Sequence, residues 1–195
     1  MTPILTQEIH IRIGVVSLNM IEKTINSEYI YKGRILNLRK DTVEIPDSHG
    51  KTSTREIVEH NGAVAIVAID KNGRIILEKQ YRKPAEDILI EIPAGKIEGD
   101  EEPENCAFRE LEEETGFIPG SLRHLTTIFT SPGFTTEKIH IFLATELKQG
   151  KVNFDEDERI DLIYASPEDA VRMIYNGSIR DAKTIVGILT AKQFL

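Results

Sequence analysis

The 195-residue chain contains no tryptophan and a single cysteine, Cys106. One thiol cannot form an intramolecular disulfide, which suits a reducing, cytoplasmic compartment. Cys106 falls within a helical pattern, so a structural role is expected of it rather than thiol catalysis. No apolar run approaches the roughly 18 residues that a membrane span needs. The N-terminal stretch places Glu8, His10 and Arg12 where a signal peptide would be apolar. Positive charge is also scarce: 24 Lys and Arg face 32 Asp and Glu, giving a net charge of −8 and a pI near 5.2. That balance argues against a general nucleic-acid or membrane-surface binder. A polyanion would be bound only where arginine or a divalent cation supplies positive charge locally.

What is present fits one globular domain with a smaller appendage: 40% of residues are hydrophobic and 29% charged. Residues 1–20 are left as an unassigned arm. YIYKGRILNLRKDTVEIP, from Tyr29, and TSTREIVEH both alternate apolar and polar residues around the turn signal Asp47–Lys51, so residues 21–60 read as a small antiparallel sheet. Residues 61–195 form the main domain. AVAIVAI after Asn61-Gly62 is a strand buried on both faces. A hairpin turn at Asp70–Gly73 leads into RIILEKQYR, and ILIEIPAGKIE follows as a short strand and a Pro-Gly loop. Pro103 suits a first helical turn and Gly116 a helix end. Strands are expected near Ser121–Phe129 and Lys138–Glu146, then in DLIYA. Ser166 caps a helix, and the tail is a last helix with Ile185, Ile188 and Leu189 facing a core. The fold class is α+β, with helices packed on a mixed sheet.

One stretch stands apart. Gly95–Phe117, GKIEGDEEPENCAFRELEEETGF, holds nine acidic side chains. Residues three and four apart share a helix face, so Glu110, Glu113 and Glu114 are expected to converge opposite Ala107 and Leu111, with Arg109 beside them. Alone, such a face is most often solvated. The alternative is a divalent-cation site, because carboxylates suit Mg²⁺ or Mn²⁺ and a bound cation turns their repulsion into attraction. The spacing decides between them: five residues separate Gly95 from Glu101, and seven more lead to Arg109-Glu110-Leu111, then Glu113-Glu114 and Gly116-Phe117.

This resembles the signature of the Nudix hydrolases, G-x5-E-x7-R-E-U-x-E-E-x-G-U, where U is bulky and apolar. Phe117 in place of an aliphatic residue is the one mild departure. The resemblance implies an α/β/α sandwich around a mixed central sheet, here preceded by the small antiparallel N-terminal sheet. It also implies hydrolysis of a nucleoside diphosphate linked to another group. By the same similarity Glu110 and Glu114 are metal ligands, Glu113 is a ligand or water-mediated partner, and the backbone carbonyl of Ala94 faces a metal. Arg109 would orient a glutamate rather than touch substrate.

Beyond that signature the chain is similar to the ADP-ribose pyrophosphatase branch, through REIVEHNGAVAIVAI, QYRKPAEDILIEIPAGKIE, SPGFTTE and RDAKT. Pro132 lies sixteen residues after Gly116, as in that branch. The resemblance implies a nucleotide-sugar substrate, ADP-ribose giving AMP and ribose 5-phosphate. Pyrophosphate recognition calls for planar bidentate donors; Arg55 and Arg82 are the candidates. By the same similarity Glu137 and Gly133 of SPGFTTE would fall near the substrate, and Phe134 or Tyr81 would either stack on a base or pack in the core. The resemblance further implies a loop glutamate as general base, for which Glu158 is favoured, with Glu156 second. GDP-mannose hydrolysis and a non-catalytic sensor of the same fold are the alternatives. A homodimer is implied, with the small sheet crossing to its partner and Arg55 lent across the interface.

Overall fold

A computed structural model describes residues 20–151, 153 and 159–195. The N-terminal arm over residues 1–19 and two of the acids expected to serve as base, Glu156 and Glu158, lie outside the described residues. None of the described helices is long and apolar enough to cross a membrane.

The first three strands, β1 (Lys23–Lys32), β2 (Asn37–Glu44) and β3 (Thr52–Glu59), form a separate antiparallel sheet in that order. The alternating text from Tyr29 covers the end of β1 and all of β2. It breaks at Gly33, whose N–H donates to the Leu36 carbonyl at 3.0 Å, and β1 begins earlier than the alternation suggests. A Cβ at Gly33 would lie 2.6 Å from the exposed Tyr31 ring, which packs over the turn.

The main sheet is built from β4 (Ala63–Ile69), β5 (Ile75–Arg82), β6 (Asp87–Glu91), β7 (Ala94–Lys96), β9 (Ser121–Phe129), β10 (Lys138–Thr145) and β12 (Ile160–Ala165). Its order is β12-β5-β4-β10-β9, with β6 added to β5 and β7 to β4. Strands β4 and β10 run parallel and the other pairs antiparallel. A short ribbon joins β8 (Phe117–Ile118) to β11 (Lys148–Gln149). Among the described residues, three α-helices pack with these sheets: α1 (Pro103–Thr115), α2 (Pro167–Tyr175) and α3 (Ala182–Ala191).

Alternation along β4 explains the sandwich. Val64, Ile66 and Ala68 pack with Ala107 and Leu111 of α1, whereas Ala65 and Val67 pack with Ile188 and Ala191 of α3 and with Ala170 of α2. Both faces of the strand are apolar because both are covered. Each buried Val, Leu or Ile contributes roughly 1.5–3 kcal/mol, so the helices need little further fastening. The last helix turns otherwise than its text suggests: Ile188 is buried and Ile185 partly so, but Leu189 is exposed. Gly187 takes the innermost place, where a Cβ would lie 2.8 Å from Ile92 Cδ1 and 3.0 Å from Val67 Cγ2.

Helix ends follow the local chemistry. Pro103 opens α1, and Gly116 closes it at φ 72° while donating to the Glu112 carbonyl. Ser166 accepts from the Asp169 N–H, and Asp181 from the Thr184 N–H.

The registers gather several chain segments at one end of the sheet. Ile139 pairs with Ala63, Lys96 with Ala63, and Arg82 with Asp87, while β12 starts at Ile160 opposite Gln80. The starts of β4, β10, β6 and β12 and the ends of β5 and β7 therefore lie together. Between β4 and β5 the sheet splits, and β6 and β7 fill the gap.

Candidate active site

Helix α1 and strand β7 meet in that split. Ala107, Leu111 and Glu114 follow steps of four and three, so they form one stripe, and all are buried. The expected placement of Glu114 opposite Ala107 and Leu111 is thus corrected: it is 3% exposed and turned toward the sheet. Its carboxylate is satisfied there by the Ala94 N–H at 2.9 Å. Glu110 and Glu113 lie on the flank.

Gly95 determines how close the flank can come. A Cβ built there would lie 1.8 Å from Glu110 Cδ and 2.0 Å from Oε1. Glycine at 95 lets the Glu110 carboxylate sit in the space that a side chain would fill. Arg109 holds the group together. It donates to Glu101 at 3.0 and 3.2 Å, to Glu110 at 2.8 Å and to Glu113 at 2.9 Å, and reaches the Lys96 carbonyl at 3.3 Å. Hydrogen bonding to Glu101, followed by Glu110 and Glu113, raises its pKa further and keeps it charged. Arg109 thus neutralises and aligns carboxylates, as its position implied.

Burial first, with Glu101 and Glu110 adding to it, pushes the Cys106 thiol up to about 12. It donates to the Lys96 carbonyl at 3.3 Å. A thiol so placed is structural.

Among the described residues, no three His, Cys, Asp or Glu side chains form a ready-made metal cage. Arg109 holds Glu110 and Glu113, two of the three expected ligand glutamates. The donor set nevertheless fits a hard divalent cation. Hard cations of the Mg²⁺ kind take one or two carboxylates and leave other positions to water and phosphate oxygens. Glu110 against a side-chain-free backbone, with Glu114 fixed at Ala94, supplies that set.

Arg82 ends β5 at the same end of the sheet. Its Nε and Nη2 donate to the two oxygens of Glu91 at 2.9 and 2.8 Å. Lys183 of α3 donates to the same carboxylate, and lies 3.1 Å from Asp181. Burial acts to raise the Glu91 pKa, but Arg82 and Lys183 outweigh it and hold it below the ordinary value. The bond to Glu91 raises the pKa of Arg82, and the charges of Glu114 and Asp181 also act on it. The acidic helix and Arg82 therefore share one electrostatic environment.

Other expected residues stand further out. Arg55 is on β3 and forks onto Glu22 of its own chain, with a Nε to Oε2 distance of 2.9 Å. Glu137 precedes β10, accepting from Thr130 Oγ1 at 2.8 Å, with His60 Nδ1 at 3.5 Å. The loop of Gly133 is tied to β3: the Val58 N–H donates to the Phe134 carbonyl at 2.7 Å, and the Thr136 N–H to the Val58 carbonyl at 3.0 Å. The space around Gly133 is open. Tyr81 and Phe134 are 55% and 57% exposed, so the core reading fails for both. Sequence reasoning missed Glu91 and Lys183 as partners of Arg82. The available signal was a carboxylate in the otherwise apolar strand ILIEI, where an unpaired charge would be costly.

Comparison with known proteins agrees with this geometry. Residues 59–186 match the model of the NUDIX domain, and residues 22–58 match that of the nucleoside diphosphate sugar hydrolase N-terminal domain. The chain is 47% identical over 169 residues to an ADP-ribose pyrophosphatase of Bacillus subtilis, covering 86% of this chain and 90% of the relative. It is 46% identical over 169 residues to a methanol dehydrogenase activator of Bacillus methanolicus, covering 86% and 90%. A crystal structure of an ADP compounds hydrolase superposes with a TM-score of 0.79 at 22% identity, covering 89% of this chain and 94% of that one, and shows the same fold. A NUDIX domain match over most of the chain, together with a relative 47% identical over 86% of it, makes this chain a member of the Nudix hydrolase family.

Proposed function

We propose that this chain hydrolyses the pyrophosphate of ADP-ribose, giving AMP and ribose 5-phosphate, with Mg²⁺ as the working cation and Mn²⁺ able to replace it. The observation that carries the reading is the close approach of Glu110 to Gly95, with Glu114 fixed at Ala94 and Arg82 facing the same charges. The similarity to a pyrophosphatase relative supports the substrate class.

Glu110, Glu114, the Ala94 carbonyl and Glu113, directly or through water, would hold the cations. Divalent cations there supply Lewis-acid neutralisation of the pyrophosphate and lower the pKa of bound water. Arg82 binds phosphoryl oxygens and stabilises charge that develops on them. Glu158, with Glu156 as the alternative, takes the proton of the attacking water. The water oxygen bonds to one phosphorus, the bridging P–O bond breaks, and the leaving phosphate departs as an anion. Glu137 and Gly133 line the approach for the rest of the substrate.

The proposal includes a catalytic domain over residues 61–195, a β subdomain over 21–60, and a homodimer. All ten residues of β1 are exposed, Ile25, Tyr29, Ile30 and Tyr31 among them, which suits a partner covering this sheet. Arg55 would then serve the partner's site after exchanging its Glu22 contact. Light scattering that finds only monomer would remove this part.

The primary test is turnover of ADP-ribose and GDP-mannose with Mg²⁺, products identified by mass, beside Glu114→Gln and an EDTA-treated sample. AMP and ribose 5-phosphate from the wild type, with both controls near inactive, is the expected result. Cleavage of GDP-mannose alone would overturn the substrate assignment. Tight ADP-ribose binding without turnover would show a sensor.

A further inference from the structure

Glu91 is 2% exposed, yet carries two cations, Arg82 from the paired strand β5 and Lys183 from far along the chain. Arg82 approaches it side-on through Nε and Nη2. Lys183 approaches from α3, and the adjacent Thr184 Oγ1 accepts the Ile92 N–H at 2.9 Å. Asp181, which caps α3, sits 3.1 Å from Lys183. Glu91 is thus fixed through its carboxylate and through its neighbour's backbone.

Buried ion clusters are poor fasteners, because desolvation offsets much of the attraction and apolar residues hold elements together as well. A strand and helix already joined by Ile92, Val67 and Ile188 do not need one. The geometry offers a different use. A guanidinium has five N–H donors in one plane, and two bonds to Glu91 fix that plane. The remaining donors point away from Glu91, and the Arg82 side chain as a whole is 38% exposed. The charge of Glu114 acts on the same guanidinium.

We propose that Glu91, held by Lys183, is a positioning residue that sets the plane of the Arg82 guanidinium so that its unused donors meet the substrate pyrophosphate. The inference rests on the reading of Arg82 as the pyrophosphate-binding arginine. A flexible arginine would have to be ordered at each binding event. One already clamped presents its donors with that entropy spent in folding.

A double-mutant cycle separates this from a purely structural role. Arg82→Ala, Glu91→Gln and the double variant are compared in kcat and KM for ADP-ribose, with thermal melting alongside. Glu91→Gln is expected to lower kcat/KM by about 10²-fold, mainly through KM. In the Arg82→Ala background the same change should alter kcat/KM by no more than about twofold. Lys183→Met runs through the same cycle, with about a tenfold loss that also vanishes without Arg82, and it serves if Glu91→Gln does not fold. An equal loss in both backgrounds overturns the inference. If the wild type cleaves another nucleotide sugar instead, the substrate assignment falls, and the cycle on that substrate still decides the role of Glu91. If it cleaves none, the cycle is read on the Kd for ADP-ribose; no binding at all would sink both readings.

Discussion

Gly95→Ala is the sharpest perturbation of this site. Gly95 lies outside the left-handed region of backbone space, so its requirement is steric. An added methyl would lie 1.8 Å from Glu110 Cδ, where ordinary contact begins near 3.4 Å, so one of the two must move by about 1.6 Å. The backbone of 95 is held in β7, paired through Val64 to β4, whereas the glutamate end swings about two torsions. Glu110 therefore moves, and its bond to Arg109 at 2.8 Å is lost or re-formed elsewhere.

Displacing a reacting-site group by about 1 Å lowers rates by about 10²-fold, equal to about 2.7 kcal/mol of transition-state stabilisation. The fold should scarcely register the change, since a flexible, partly hydrated side chain is what yields. The assay is kcat/KM for ADP-ribose at saturating Mg²⁺, paired with thermal melting of the same preparation. The expected outcome is a loss of about 10²-fold with Tm within about 3 °C of wild type. Retention of more than about a tenth of wild-type kcat/KM would refute the argument, because tenfold corresponds to about 1.4 kcal/mol, only half the expected loss. A Tm drop of about 10 °C or more would refute it differently, by showing that the backbone yields instead.

Three other outcomes follow from the packing and the caps. Gly187→Ala forces a methyl against Ile92 and Val67; overpacking of about 1–3 kcal/mol should exceed the gain in helix propensity of about 1 kcal/mol, lowering Tm by a few degrees in a melting experiment. Ser166→Ala removes the acceptor for the Asp169 N–H at 3.1 Å and should cost about 1 kcal/mol in denaturant unfolding while leaving kcat/KM unchanged. Asp70 has its pKa lowered: burial opposes the shift, but the Arg74 and Asn72 N–H groups and the Arg74 side chain outweigh it. Its stabilisation is fully present above its unfolded pKa of 3.8 and is lost as pH falls through the lower folded value, so the stability gap between wild type and Asp70→Asn should be flat near neutrality and close in acid.

Much of this was legible in the text because the responsible forces are local. Pro103 and Gly116 bound α1 through a missing N–H and a left-handed end. AVAIVAI announced a strand covered on both sides, since a half-exposed strand would alternate. The spacing from Gly95 to Gly116 marks the acidic helix as a candidate metal site. One local reading failed where geometry is shared between elements. The apolar face of the last helix places Leu189 inward with Ile185 and Ile188, whereas the close approach of α3 at Gly187 rotates it out.

The amino-acid sequence by itself determined the helix ends, the buried central strand, and the identity and spacing of the acidic residues, all consequences of backbone stereochemistry and short-range periodicity. Tertiary structure alone decided that Glu114 turns inward to the Ala94 N–H, and that Arg82, Glu91 and Lys183 form one cluster. Glu91 and Lys183 are separated by 92 positions in the chain. Their meeting depends on α3 packing over the split in the sheet, where a buried carboxylate is stable only if cations arrive from elsewhere in the fold.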